Sequence, residues 1–143
     1  MTTYNLTSGL TATGLAAKDA GALYRPFAVV DFKVTPYVNG DILKLIDIPA
    51  YTHVNAVGYR LLRLEGATCT ANDIGDSGVD DEFFSAIDFN GTLATTAASI
   101  WSITDEDFTS TPDYVQLLLG GDASNAKIVV FAWLTDFGAN FSA

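Results

Sequence analysis

Lys127-Ile-Val-Val-Phe-Ala-Trp-Leu-Thr135 decides the fold class of this chain. β-branched and aromatic residues crowd it, and strand alternation sends Ile128, Val130, Ala132 and Leu134 to one face and Val129, Phe131 and Trp133 to the other. Apolar residues on both faces mark a central strand, so Trp133 is expected in the core. Residues 114–119 are also strand-like, and the Gly-containing stretch 120–125 is expected to join the two as a closing pair.

The same pattern continues towards the N-terminus. Residues 27–34 are rich in β-branched and aromatic side chains and run into Pro36-Tyr-Val-Asn39-Gly40, whose Asn-Gly pair suits the positive φ angles of a tight turn. Residues 41–48 follow, closed by Pro49. Residues 54–64 alternate through Val57, Tyr59 and Leu61 and then slip phase at Leu61-Leu62, the mark of a β-bulge. Residues 67–72 read as a weaker, Thr-rich strand, and Phe83, Ser85, Ile87 and Phe89 line one face of another that stops at Asn90-Gly91. Residues 93–103 are long and polar, suited to a sheet edge. These make about eight strands, and nowhere does apolar three-and-four spacing with caps last beyond about two helical turns. The expected fold is all-β, an antiparallel β-sandwich of jelly-roll type over residues 26–143.

Residues 1–25 differ: Thr, Ala, Gly and Leu dominate, with Gly9, Gly14 and Gly21 spaced along a stretch without periodicity. This segment is expected to be an N-terminal arm. Tyr4, Leu6, Leu10, Leu15 and Tyr24, with Arg25 at its base, give it anchors that a solvated linker would not need. These six residues are the candidate interface, whether against another subunit or another protein; equally, the anchors would let the arm pack on its own domain.

With 143 residues the chain is the size of one domain. Its 17 acidic against 7 basic residues give a net charge of −10, a field that repels nucleic acid and anionic membranes. Neither is expected as a partner. Hydrophobic residues at 49% against 17% charged place it among folded rather than disordered chains. No basic n-region precedes an apolar stretch and no apolar run approaches the roughly 18 residues of a spanning helix, so synthesis in a cytoplasmic compartment without export is expected. On that footing the glycosylation triplets at Asn5, Asn90 and Asn140 are coincidences.

Little here promises chemistry. One histidine, His53, and one cysteine, Cys69, are too few for a zinc site, and the chain lacks both the Gly-x-Ser-x-Gly elbow and a phosphate-cradling glycine motif. Cys69 reads as a small buried thiol and His53 as structural. No catalytic residue, metal or cofactor is expected. The acidic stretch Asn72-Asp73-Ile-Gly75-Asp76-Ser-Gly78-Val-Asp80-Asp81-Glu82 has the oxygen donors calcium needs, yet in EF-hand spacing from Asp73 the twelfth position is Phe84 in place of a bidentate Glu. It reads as a solvated turn, as does Asp105-Glu106-Asp107. Trp101, Trp133, Tyr51, Tyr59 and Tyr114 could stack on sugars, though core packing is the commoner task of such rings and Trp101 is the one expected to be exposed.

The order of a small-residue arm, then Asn39-Gly-Asp-Ile-Leu-Lys-Leu-Ile-Asp-Ile-Pro49-Ala, then Ala67-Thr-Cys-Thr-Ala-Asn-Asp-Ile-Gly75-Asp-Ser-Gly78, then Asp80-Asp-Glu-Phe-Phe-Ser-Ala-Ile-Asp88, and finally Lys127-Ile-Val-Val-Phe-Ala-Trp-Leu-Thr-Asp136, resembles the jelly-roll decoration, or cement, proteins of tailed-bacteriophage capsids. The resemblance covers residues 38–136. It implies a structural virion protein on the outer capsid surface, a homo-oligomer such as a homotrimer, which clamps neighbouring major capsid subunits. A β-sandwich receptor- or carbohydrate-binding module of a tail fibre or spike is the alternative.

Overall fold

The computed structural model describes residues 1–7, 11–12, 22–91 and 111–136. The expected strand at 93–103, Trp101, the acidic cluster at 105–107 and the anchors Leu10 and Leu15 lie outside them. The described residues form ten strands: β1 (Thr3–Asn5), β2 (Thr11–Ala12), β3 (Ala22–Tyr24), β4 (Phe27–Asp31), β5 (Ile42–Ile48), β6 (Thr52–Arg63), β7 (Asn72–Gly75), β8 (Phe84–Ile87), β9 (Asp113–Leu118) and β10 (Lys127–Asp136).

Two sheets face each other across one core. The first runs β1-β5-β9-β7-β8. In the second, β10 is central, with β6 along one side, β4 and β3 end to end along the other, and β2 outside β4. Pairing is antiparallel except between β1 and β5. The chain is therefore an all-β, antiparallel-rich sandwich, as the strand patterns predict.

Alternation fixes which residues meet in the middle. Ile128, Val130, Ala132 and Leu134 of β10 are fully buried, with Leu43, Leu45, Ile46, Val115 and Leu117 supplied by the other sheet. The phase slip in β6 is a bulge: Ile128 pairs Leu61 and Lys127 pairs Arg63, leaving Leu62 as the extra, exposed residue. A second irregularity, a register shift on β5 between Lys44 and Ile46, makes Leu45 the extra residue and lets the consecutive Leu45 and Ile46 both reach the core.

Four expectations are corrected. β9 and β10 are not a pair: β9 lies between β5 and β7, and the 120–125 connection carries the chain from one sheet to the other. Residues 67–71 are a loop, and the strand begins at Asn72. Cys69 is buried there all the same, and burial pushes its thiol up from the usual range. The Asn39-Gly40 turn uses a positive φ only at Gly40 (90°), closed by Asp41 N–H to Val38 O at 3.1 Å, a one-glycine turn rather than the doubly left-handed form. Finally, Trp133 is 37% exposed, because it lies on the outward face of β10.

Residues 1–25 are bound into the sandwich wherever they are described. Leu6 N–H donates to Lys44 O (2.9 Å) and Ile42 N–H to Thr2 O (2.8 Å), while the Tyr4 ring meets Tyr37 edge-on at 4.8 Å. β3 and β4 share β10 as neighbour, so residue 25 falls inside a continuous sheet edge interrupted only by Arg25-Pro26. Proline has no N–H to donate, but Pro26 O still accepts from Ala132 N–H at 3.1 Å.

Tyr24 is only 4% exposed and packs in this core. Its hydroxyl and that of Thr52 lie near one another without a hydrogen bond of normal geometry. Burial, then the charge of Asp136, push the phenol up to about 12. The unfolded phenol ionises near 10, so Tyr24 contributes stability that is full below that pH and is lost as pH rises towards 12. Tyr24→Phe is expected to stay within about 0.5 kcal/mol of wild type at pH 7, since the hydroxyl it removes has no partner. It should also outlast wild type between pH 10 and 12 in urea melts, and equal alkaline sensitivity would contradict the assignment.

Candidate interaction surface

Residues opposite one another on paired strands share a face. Val129 pairs with Val29 of β4 and Arg60 of β6, Phe131 with Phe27 and Gly58, Trp133 with Ala56, and Thr135 with Leu23 and His53. This is the outward face of the second sheet, since the intervening residues of β10 fill the core. Phe131 lies over Gly58, where a Cβ would fall 2.5 Å from its ring. Arg25 stacks on Trp133 with its guanidinium carbon 5.4 Å from the ring centre. Leu23 is 57% exposed.

Cations flank this aromatic strip. Arg25 stands at one end; Arg60, Arg63 and Lys127 stand at the other. Among the described residues the face holds a single carboxylate, Asp31 opposite Lys127, which accepts from Arg63 and lies 4.0 Å from Lys127. Partial burial pulls the Asp31 carboxyl up, but the Arg63 hydrogen bond and the Lys33 N–H outweigh it and hold it below the usual range. Four of the seven basic residues of a chain with net charge −10 thus gather on one side of one sheet.

The opposite polarity collects at β7 and β8, the far edge of the first sheet. Residues 72–91 contain six carboxylates and no Lys or Arg. Asp73 accepts from Ala86 N–H (2.9 Å), and one oxygen of Asp76 accepts from both Gly78 and Val79 N–H (each 2.7 Å). Asp76 thus braces its own turn and Asp73 ties β7 to β8, while Asp80, Asp81 and Asp88 are exposed, Asp88 also accepting from Asn90 N–H (2.8 Å). Among the described residues no three His, Cys, Asp or Glu groups converge as a metal would require.

The arm anchors are divided among three places. Tyr4, 37% exposed, and the half-buried Leu6 lie beside β5, and Leu6 walls an open apolar recess of about 260 Å³ with Val29, Val34 and Tyr37. Tyr24 is in the core, and exposed Arg25 belongs to the aromatic face. Sequence reasoning missed that face because apolar residues on both sides of a strand suit a buried strand and an interaction surface alike. The readable signal was charge: Arg60, Arg63 and Lys127 stand next to that apolar pattern. His53, on β6 in the second sheet, and Cys69, in the loop leading to the first, are set in different parts of the sandwich.

No protein-family model and no curated protein matches the sequence. Solved structures do match the fold. A chain of the acidic stable capsid structure of Helicobacter pylori bacteriophage KHP30 aligns with TM-score 0.63 at 14% identity, over 90% of this chain and 93% of that one. A chain of the capsid of Ralstonia phage GP4 aligns with TM-score 0.63 at 16% identity, over 97% and 100%. A chain of the cyanophage Pam1 capsid asymmetric unit aligns with TM-score 0.54 at 15% identity, over 87% and 91%. The sandwich described here is thus a fold found in the capsids of three phages.

Proposed function

We propose that this chain is a structural virion protein which binds the outer surface of a phage head and stabilises it by tying neighbouring major capsid subunits together. The observation that carries this reading is the near end-to-end likeness to capsid chains, up to 97% of this chain against 100% of the other, with no large insertion left over for an added activity. A decoration protein needs binding surfaces and no chemistry of its own, which suits a chain whose thiol is buried and whose Asp73 and Asp76 carboxylates hold backbone N–H groups. Net charge of −10 keeps it off packaged nucleic acid. It acts as a homo-oligomer of three copies, so that several weak contacts with the shell reinforce one another. Tyr4, Leu6, Leu10 and Leu15 of the N-terminal segment, together with Arg25, meet the shell or the neighbouring copy, and Tyr24 holds the segment to its own sheet.

Cosedimentation of the purified protein with empty, undecorated heads tests the reading. Saturable binding is expected. Absence of binding at saturating protein would overturn it and favour the receptor- or glycan-binding alternative, which a sugar titration monitored by Trp fluorescence would address.

A further inference from the structure

We propose that the aromatic, cationic face of the β10 sheet receives the acidic β7–β8 margin of a second copy of this chain, so that identical chains associate head to tail. The inference deepens the homo-oligomer proposed above and rests on that part of it.

Two surfaces of the one chain are complementary. The receiving face presents Trp133, Phe131 and Phe27 between Arg25 at one end and Arg60, Arg63 and Lys127 at the other, with Leu23 beyond Arg25 and Asp31 the sole carboxylate among its described residues. Aromatic and Arg side chains around a strip that can lose water are what dominate protein interfaces. The margin that matches it carries Asp80, Asp81 and Asp88 exposed and no cation between residues 72 and 91. The two surfaces belong to different sheets, one a sheet face and the other the outer edge at β8, so one chain cannot bring its own halves together. Every copy then offers one receiving face and one inserting margin. Such a heterologous contact propagates until it closes, and three copies closing a ring use every face once.

The sign of the charge makes the test sharp. Reversing Arg25 and Arg60 to Glu takes the net charge from −10 to −14, and reversing Asp80 and Asp81 to Lys takes it from −10 to −6. General self-repulsion would weaken association in the first variant and strengthen it in the second. Head-to-tail docking requires both R25E/R60E and D80K/D81K to dissociate, each by at least about tenfold in Kd, the scale of losing close charge pairs. The fourfold variant, back at −10, should recover the wild-type oligomer because its two reversed surfaces again match.

The experiment is mass by light scattering on a sizing column at 50 mM and 500 mM salt, for full-length wild type and the three variants, each shown folded by its thermal melt. Dissociation of both pairs, recovery in the fourfold variant and weaker wild-type association at high salt are expected. A monomeric wild type, an oligomer untouched by either reversal, stronger association of D80K/D81K, or a fourfold variant no better than its parents would overturn the proposal. Head cosedimentation of the same proteins separates the two readings. An R25E/R60E variant that stays oligomeric but no longer binds heads would assign the face to the shell and sink head-to-tail docking while leaving the decoration role intact.

Discussion

Replacing Glu65 with Gln is expected to remove about 3 kcal/mol of stability, although the substitution changes a single atom and leaves the residue's volume intact. Glu65 follows the bulged end of β6 and is only 5% exposed. Its carboxylate is the acceptor around which the chain turns into β10. Oε1 takes the Ser124 N–H (2.8 Å) and hydroxyl (3.2 Å), and Oε2 takes the N–H groups of Asn125 (2.9 Å) and Ala126 (2.6 Å). The backbone around it is tied as well: Glu65 N–H donates to Phe89 O (3.1 Å) and Asn125 Nδ2 to Leu64 O (3.0 Å). A glutamine keeps one oxygen and points an NH2 at the other donors. With that oxygen kept on Asn125 and Ala126, the Ser124 N–H loses its acceptor, at about 1–3 kcal/mol for a buried N–H left unpaired, and the two remaining bonds lose the strength that the charge gave them. Urea unfolding should show a lower midpoint with an unchanged slope.

The same geometry sets a pH signature. Burial alone would raise the Glu65 carboxyl, but the N–H groups of Ser124, Ala126 and Asn125 and the Ser124 hydroxyl outweigh it and hold it below its ordinary 4.5. A carboxylate lowered on folding contributes stability that is present above the unfolded value and lost as pH falls through the folded one. The gap between wild type and Glu65→Gln should therefore be constant from pH 7 to 5 and narrow below about 4.5. A gap unchanged down to pH 3 would mean that charge is not what holds the turn.

How far the fold can be read without coordinates depends on whether local pattern and tertiary pairing say the same thing. In β5, β6 and β10 they agree, since long apolar alternation with Pro49, Asn39-Gly40 and a phase slip leaves few alternatives. In β1 they do not. Thr3-Tyr-Asn5 has no periodicity to detect and is a strand only because β5, 39 residues away, offers it a parallel edge. β3 fails to announce itself for the same reason, being three residues long and followed by Pro26. The order of strands within sheets was also beyond reach: residues 114–119 and 127–135 look like a hairpin because they are close in sequence, yet the turn Glu65 organises directs the second away from the first. The interaction face had its residue types in view but not their arrangement, because only the register of β10 with β4 and β6 places Arg60, Arg63 and Lys127 beside Val129 and Phe131.

Gly120→Ala is expected to lower stability by about 4 kcal/mol or more, a large cost for one added methyl. The loop 67–71 crosses directly over Gly120, so a Cβ there would lie 2.3 Å from Ala71 O and 2.5 Å from Thr70 O. Backbone oxygens do not swing aside as a side chain does, and these are held by the buried Asn72. Its Nδ2 donates to Cys69 O (3.1 Å) and Ile87 O (2.9 Å), while its Oδ1 accepts from Gly120 N–H itself (3.0 Å). Moving the loop away from a new methyl thus breaks the three bonds that join the loop, β8 and the end of β9. Two other glycines separate this cause from generic intolerance to alanine. At Gly58 the obstacle is the ring of Phe131, at 2.5 Å from the new Cβ, on a side chain that can rotate outward on an exposed face; about 1 kcal/mol is expected there. At Gly40 nothing lies within 4 Å, and the only penalty is holding an L-residue at φ 90°, about 1–2 kcal/mol. Thermal unfolding of the three variants should place Gly120→Ala at least about 10 °C below the other two, or leave it without a cooperative transition. A Gly120→Ala protein that melts alongside Gly58→Ala would show that the 67–71 loop yields, and with it that Asn72 does not fix the loop to the sheet.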